Sequence, residues 1–140
     1  MPLHGGGTIV GVDVSILPAA ARTDGTVTGE EVNITGYERV DIVIFTGTIT
    51  DGTHSFSLTE CATTGGSFTA VAAADIDVNA TYGGTGANGA VIVAANDNIA
   101  CTFSYLGTKG FIKVIATSAT CSTGGVFAAG VIGSDKRHST

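Results

Sequence analysis

The stretch Arg39-Val40-Asp41-Ile42-Val43-Ile44-Phe45-Thr46-Gly47-Thr48-Ile49 decides how this chain folds. In an extended strand, successive side chains point to opposite faces. Val40, Ile42 and Ile44 then share one face, and Val43 and Phe45 share the other. A strand that is apolar on both faces is either a central strand covered from two sides or a sandwich strand beside an interface.

The same period of two extends in both directions. Upstream, Val12 to Leu17 reads as a strand stopped by Pro18, and Thr26 to Ile34 carries alternating Thr and Val. Downstream, Thr50-Asp51-Gly52-Thr53 reads as a tight hairpin turn, because Asp-Gly supplies residues that tolerate positive φ. His54 to Ala62 alternates, with His54, Phe56 and Leu58 on one face and Ser55, Ser57 and Thr59 on the other. Ser67 to Ala73 follows, anchored by Phe68, and 75–89 reads as a long loop. Ala90 to Ala94, Asn98 to Leu106, Phe111 to Ser118 and Gly125 to Gly133 complete the set. No segment shows a capped 3.6-residue period, so helices are not expected. The fold class is all-β, a two-sheet antiparallel sandwich of about eight strands. It is jelly-roll-like, with an immunoglobulin-like strand order as the alternative. Residues 1–11, loosened by Gly5 to Gly7, form a flexible N-terminal arm; residues 12–133 form the domain and 134–140 a C-terminal tail.

Composition narrows the function. The chain has 140 residues, enough for one domain with one core. Charged residues are 13%, against roughly 25% in an average domain. With 21 Gly and 21 Thr, the surface is finished by small and hydroxyl-bearing groups. Such a surface costs little to desolvate, which suits burial against other subunits. The net charge is −6, and the sole basic cluster in the sequence is Lys136-Arg137-His138. A chain without a row of basic groups is not expected to bind nucleic acid. No apolar stretch approaches the ~20 residues of a membrane helix. The first residues do not read as a signal peptide.

Residue types that carry chemistry are present without the spacing that chemistry needs. Cys61, Cys101 and Cys121 are widely separated and read as buried or strand-facing thiols of a protein assembled in a reducing cytoplasm. His4, His54 and His138 form no ligand motif, and neither metal nor cofactor is expected. Gly84 to Gly89 matches G-x-G-x-x-G, but a β-type run follows where a helix is required. Asp75-Ile76-Asp77-Val78-Asn79 begins like a calcium loop, yet Ala80 and Gly86 stand where Gly and Glu are needed. Glu30, Glu31, Glu38 and Glu60 are scattered, and no nucleophile elbow exists, so the chain does not read as an enzyme. Trp is absent, which counts against a carbohydrate-binding module.

The order of these elements resembles a known group. Gly36-Tyr37-Glu38 steps into the apolar strand, and Thr48-Ile49-Thr50-Asp51-Gly52-Thr53-His54-Ser55-Phe56 leads to Leu58-Thr59-Glu60. Later come Tyr105-Leu106-Gly107-Thr108-Lys109-Gly110-Phe111-Ile112-Lys113-Val114 and Val131-Ile132-Gly133 before the basic tail. The pattern is similar to the small jelly-roll cement (decoration) proteins on the outside of tailed-phage capsids. The resemblance implies a virion structural protein, made in the host cytoplasm, that binds the major capsid protein. It would pair with itself as a homodimer or trimer and bridge neighbouring capsid subunits. Contacts are then expected from the arm (Leu3, His4, Thr8, Ile9), from the tail (Lys136, Arg137, His138) and from edge strands. The alternatives are another virion part, such as a head–tail connector, tail or fibre-base protein, and a carbohydrate-binding adhesion module.

Overall fold

The computed structural model describes residues 11–78, 85–86 and 89–134, which form two antiparallel sheets. Among the described residues the strands are β1 (Gly11–Ile16), β2 (Gly25–Thr28), β3 (Val32–Asn33), β4 (Arg39–Ile49), β5 (Thr53–Cys61) and β6 (Thr69–Ala70), then β7 (Ile76–Val78), β8 (Thr85–Gly86), β9 (Gly89–Ile92), β10 (Ala100–Tyr105), β11 (Phe111–Ala119) and β12 (Gly125–Ser134). Short 3₁₀ turns occupy Ala73–Asp75 and Ala94–Asn96. The first sheet runs β1-β12-β4-β10-β7. The second runs β2-β11-β5-β9-β8, with β3 added to β11 and β6 to β5.

Setting aside β3, β6, β7 and β8, each of three residues or fewer, eight strands remain. Numbered afresh, they lie in the orders 1-8-3-6 and 2-7-4-5. That is the jelly roll, two Greek keys wound into a pair of sheets. The connections β1–β2, β4–β5, β10–β11 and β11–β12 each carry the chain from one sheet to the other.

The core lies between the sheets and follows from the alternation. In β12, every second residue from Gly125 to Gly133 is buried. In β4, Val40, Ile42 and Ile44 turn inward, as their spacing predicts. They meet Phe56, Leu58, Ile112 and Val114 of the second sheet within one buried cluster. Phe127 of β12 packs edge-on against Phe56 of β5, with ring centroids 4.9 Å apart and planes at 85°. This T-shaped contact adds about 0.5–1.5 kcal/mol to the burial of both rings.

Three local readings are corrected. The Asp51-Gly52 turn does not close a hairpin, because β4 and β5 belong to different sheets. Instead it is a corner. The Asp51 carboxylate accepts hydrogen bonds from the amides of Ser122, Thr123 and Gly124, in the loop that leads into β12. Those amides, Gly124 and Thr123 foremost, hold its carboxyl below the usual range. The corner needs glycine twice. Gly52 has φ +85°, and a Cβ there would overlap the Cys121 sulfur; Gly124 has φ +83°, and a Cβ there would overlap the Arg22 carbonyl.

The stretch 26–34 is not one strand but two, β2 and β3. A bulge between Val14 and Ile16 turns Ser15 out of the ladder with β12. The Ser15 hydroxyl accepts from the Val114 amide at 3.0 Å and donates to the Glu30 carbonyl at 2.9 Å. It thus takes a donor of β11 that a continuous edge strand would have used. Gly29 lies against this hydroxyl, with no room for a Cβ. The third correction concerns 67–78. Only Thr69–Ala70 pairs with β5, and Phe68 is half-buried under the Lys113 ammonium, 4.4 Å from its ring centroid. Val71 supplies the buried anchor instead, and Ile76–Val78, within the stretch read as loop, pairs with β10.

Two outcomes follow. Phe127→Ala removes the ring that joins the sheets and is expected to destabilise the fold by about 3–5 kcal/mol in urea unfolding. Asp51→Ala is expected to lower the melting temperature at neutral pH. Because the Asp51 carboxyl is more acidic folded than unfolded, its contribution is present above about pH 4 and fades as pH falls below that. The gap between wild type and variant should therefore narrow in acid, and a gap that stays constant would count against the corner.

Candidate interaction surface

The two outward faces of the sandwich differ in chemistry. On the first sheet, register places Val12, Ile132, Asp41 and Ser104 in one outward row. The next row is Val14, Gly130, Val43 and Thr102, and the third is Ala128, Phe45 and Ala100. Val126 stands beyond them against Gly47. Val12 is 71% exposed and Phe45 55%. The charges on these rows and their margin, Arg39 and Asp41, sit at one end. Arg39 Nε donates to Asp41 at 2.8 Å, and the Ser104 hydroxyl donates to the other carboxylate oxygen at 2.5 Å.

On the second sheet the outward rows carry Thr28, Ile115 and Ser57, then Thr26, Thr117, Ser55 and Val91, with Lys113 beside Thr59. That face is rich in hydroxyls. A sandwich needs only its inner faces apolar. The apolar outer face of the first sheet is therefore surplus to folding.

At one end, between the sheets, lies an open depression of about 830 Å³ bordered by Tyr37, Glu38, Asp77, Tyr105, Leu106 and Lys109. The Tyr105 phenol bridges the sheets there. It donates to Glu60 of β5 at 2.5 Å and accepts from the Lys109 amide at 3.0 Å. Burial, and then the bond to Glu60, raises its pKa well above the ordinary tyrosine value. Tyr37 lies flat against Gly133 and Gly11, which are cross-strand partners. The ends of β1 and β12 thus sit side by side at this end. The expected contact residues Leu3, His4, Thr8, Ile9, Lys136, Arg137 and His138 fall outside the described residues.

One pair has the look of catalytic machinery. His54 Nδ1 lies 2.7 Å from the Ser118 hydroxyl, and Nε2 lies 3.2 Å from the Asp51 carbonyl. A carbonyl only accepts, so Nε2 donates to it, and in the neutral ring Nδ1 accepts from the Ser118 hydroxyl. His54 is fully buried against Phe127, with ring centroids 5.4 Å apart, so the pair lies within the core. The pair serves packing. The thiols are unbridged: Cys61 and Cys101 are buried, and burial pushes the Cys101 thiol up to about 11. Cys121 departs from the expectation of a buried or strand-facing thiol, since it is half-buried in the loop after β11. Among the described residues no three His, Cys, Asp or Glu side chains gather as a metal site. None of the helices among them is long and apolar enough to cross a membrane.

No protein-family description matches the chain, and no curated protein matches it. Its fold is similar to that of the SPBc2 prophage-derived protein YomS, known from a crystal structure. The TM-score is 0.53 at 16% identity, over 91% of this chain and 95% of that one.

The Tyr105 bridge has a readable consequence. Folding favours its neutral phenol, so the contribution is whole below about pH 10 and is lost as pH rises beyond it. In an alkaline ultraviolet titration, one phenol of the wild type should ionise only as the protein unfolds, and Tyr105→Phe should lack that phase. The same variant should lose about 1–2 kcal/mol at neutral pH, because the Lys109 amide loses its acceptor. Ionisation of all phenols at ordinary pH in the folded protein would contradict the bridge.

Proposed function

We propose that this chain is a virion structural protein of a tailed phage, a cement protein that binds the capsid exterior and bridges neighbouring major capsid subunits. The observation that carries this reading is that both outer faces of the sandwich are poor in charge, one rich in hydroxyls and the other carrying exposed Val12, Val14 and Phe45, on a chain whose charged fraction is 13%. A face of this kind is finished by contact with other subunits. The similarity in fold to a prophage-derived protein supports a phage setting. So does the resemblance of the strand-and-turn order to cement proteins.

The mechanism is additive contact. One small interface holds a shell subunit weakly, but several on one oligomer act together through effective concentration. In this reading the arm and the tail, which lie outside the described residues, are further segments that contact the shell. The acidic balance suits an outer position, away from packaged nucleic acid.

Mixing the purified protein with expanded, undecorated shells should give saturable binding and raise the temperature at which the shells open. Labelled protein should cover the head evenly in electron micrographs. Label confined to one vertex or to the tail would assign it another place in the virion, and absence of binding would overturn the proposal.

A further inference from the structure

We infer that the outward face of the first sheet takes a second copy of this chain, stacked face to face across a two-fold axis. The inference rests on the subunit-binding reading above and names the subunit.

Size favours it. Four strands about 4.8 Å apart, over about eight residues at about 3.3 Å each, give a footprint of about 500 Å² per copy. A pair then covers about 1,000 Å² before side-chain relief is added, which reaches the threshold for a specific interface. Shape favours it too. Phe45 projects between two alanines, Ala128 and Ala100, its cross-strand neighbours. One row away, Gly130 leaves a hollow between Val14 and Val43; a Cβ there would meet no atom closer than the Asp13 carbonyl, at 3.6 Å. Knob and hollow lie on the same patch, as an isologous contact requires. A two-fold axis lying in the interface midway between Phe45 and Gly130 seats each Phe45 over the other copy's Gly130. Two sheets stacked about 10 Å apart have room for this interdigitation.

Charge allows the pairing. Each copy carries a net −6, but the middle of the face has no charged group, and Asp41 at its end is already paired with Arg39. Repulsion between the remaining carboxylates is screened beyond about 8 Å at physiological salt. Solubility also points to a second copy. A flat apolar sheet face on a protein waiting for a shell invites aggregation. A closed two-fold pair consumes it and leaves the hydroxyl-rich face of the second sheet for other partners.

The test is sedimentation of the full chain across a micromolar concentration series, with Phe45→Glu, Val14→Lys and, on the opposite face, Ser57→Glu. The wild type and Ser57→Glu should sediment as dimers. Phe45→Glu and Val14→Lys should raise the dimer dissociation constant about 30-fold or more, as loss of an interface hot spot does. Val14 lies on an edge strand, so its variant carries the test if Phe45→Glu fails to fold. A wild type that stays monomeric, or a dimer indifferent to both first-sheet variants, overturns the inference. Shell binding separates the two readings. A dimer that ignores shells overturns the cement function and leaves the pairing intact. A monomer whose shell binding is lost in Phe45→Glu gives this face to the capsid subunit and overturns the pairing.

Discussion

The first sheet of this sandwich is apolar on its inner face and carries exposed Val12, Val14 and Phe45 on its outer one, and the rest of the structure depends on that constraint. Inward, it is satisfied by the second sheet. Val40, Ile42, Ile44 and Phe127 meet Phe56, Leu58 and Val114, and the fully buried His54 is accommodated because both ring nitrogens are bonded. Outward, Val12, Val14 and Phe45 stay exposed with no equivalent covering element among the described strands, while Val43 in the same rows is buried. Hydrophobic burial stabilises by roughly 25 cal/mol per Å². Exposed Val12, Val14 and Phe45 are therefore a driving force toward a surface that fits them.

The jelly-roll path is what leaves that face uninterrupted. β4 and β12 lie side by side in the middle of the first sheet, with β1 and β10 flanking them. That order requires the chain to change sheets after β4 and again before β12. Both crossings meet at one corner, where the Asp51 carboxylate collects the amides of Ser122, Thr123 and Gly124. At the β1 edge, the bulge at Ser15 turns its hydroxyl to the second sheet and ends the outward alternation of Val12 and Val14. The Tyr105–Glu60 bridge closes the opposite end. Few charged groups take part, which is how a chain so poor in them remains well specified.

Much of this was legible in the sequence. The bounds of β4 coincide with the stretch read first, because its alternation is strong and Asp51-Gly52 stops it. The sandwich class and the approximate strand number followed from the same period of two. The sheet to which each strand belongs did not. The Asp51-Gly52 pair has the local chemistry of a hairpin, and only its long-range bonds to 122–124, more than seventy residues away, make it a corner. The break between β2 and β3 was hidden for a similar reason, since it depends on a hydroxyl from Ser15 in another strand. β7 is three residues long and has too little pattern to be seen. Val43 and Phe45 announced an outward apolar face, but its extent needed the register that sets Val12, Ile132, Ala128 and Ala100 beside them. The arm and the tail stand out in the sequence by glycine content and charge. The sheet face carries no such marker, because its signal is the absence of polar groups at alternate positions.

The most direct test is hydroxyl-radical footprinting of the protein, dilute and alone, against the same protein assembled on particles, read residue by residue by mass spectrometry. The account predicts that Phe45, Val14 and Ile132 lose most of their labelling in the assembled state, while Ile115 and Val91 on the opposite face keep a larger share. Strong labelling of Phe45 in both states would mean that no subunit covers this face, and the central claim would fail.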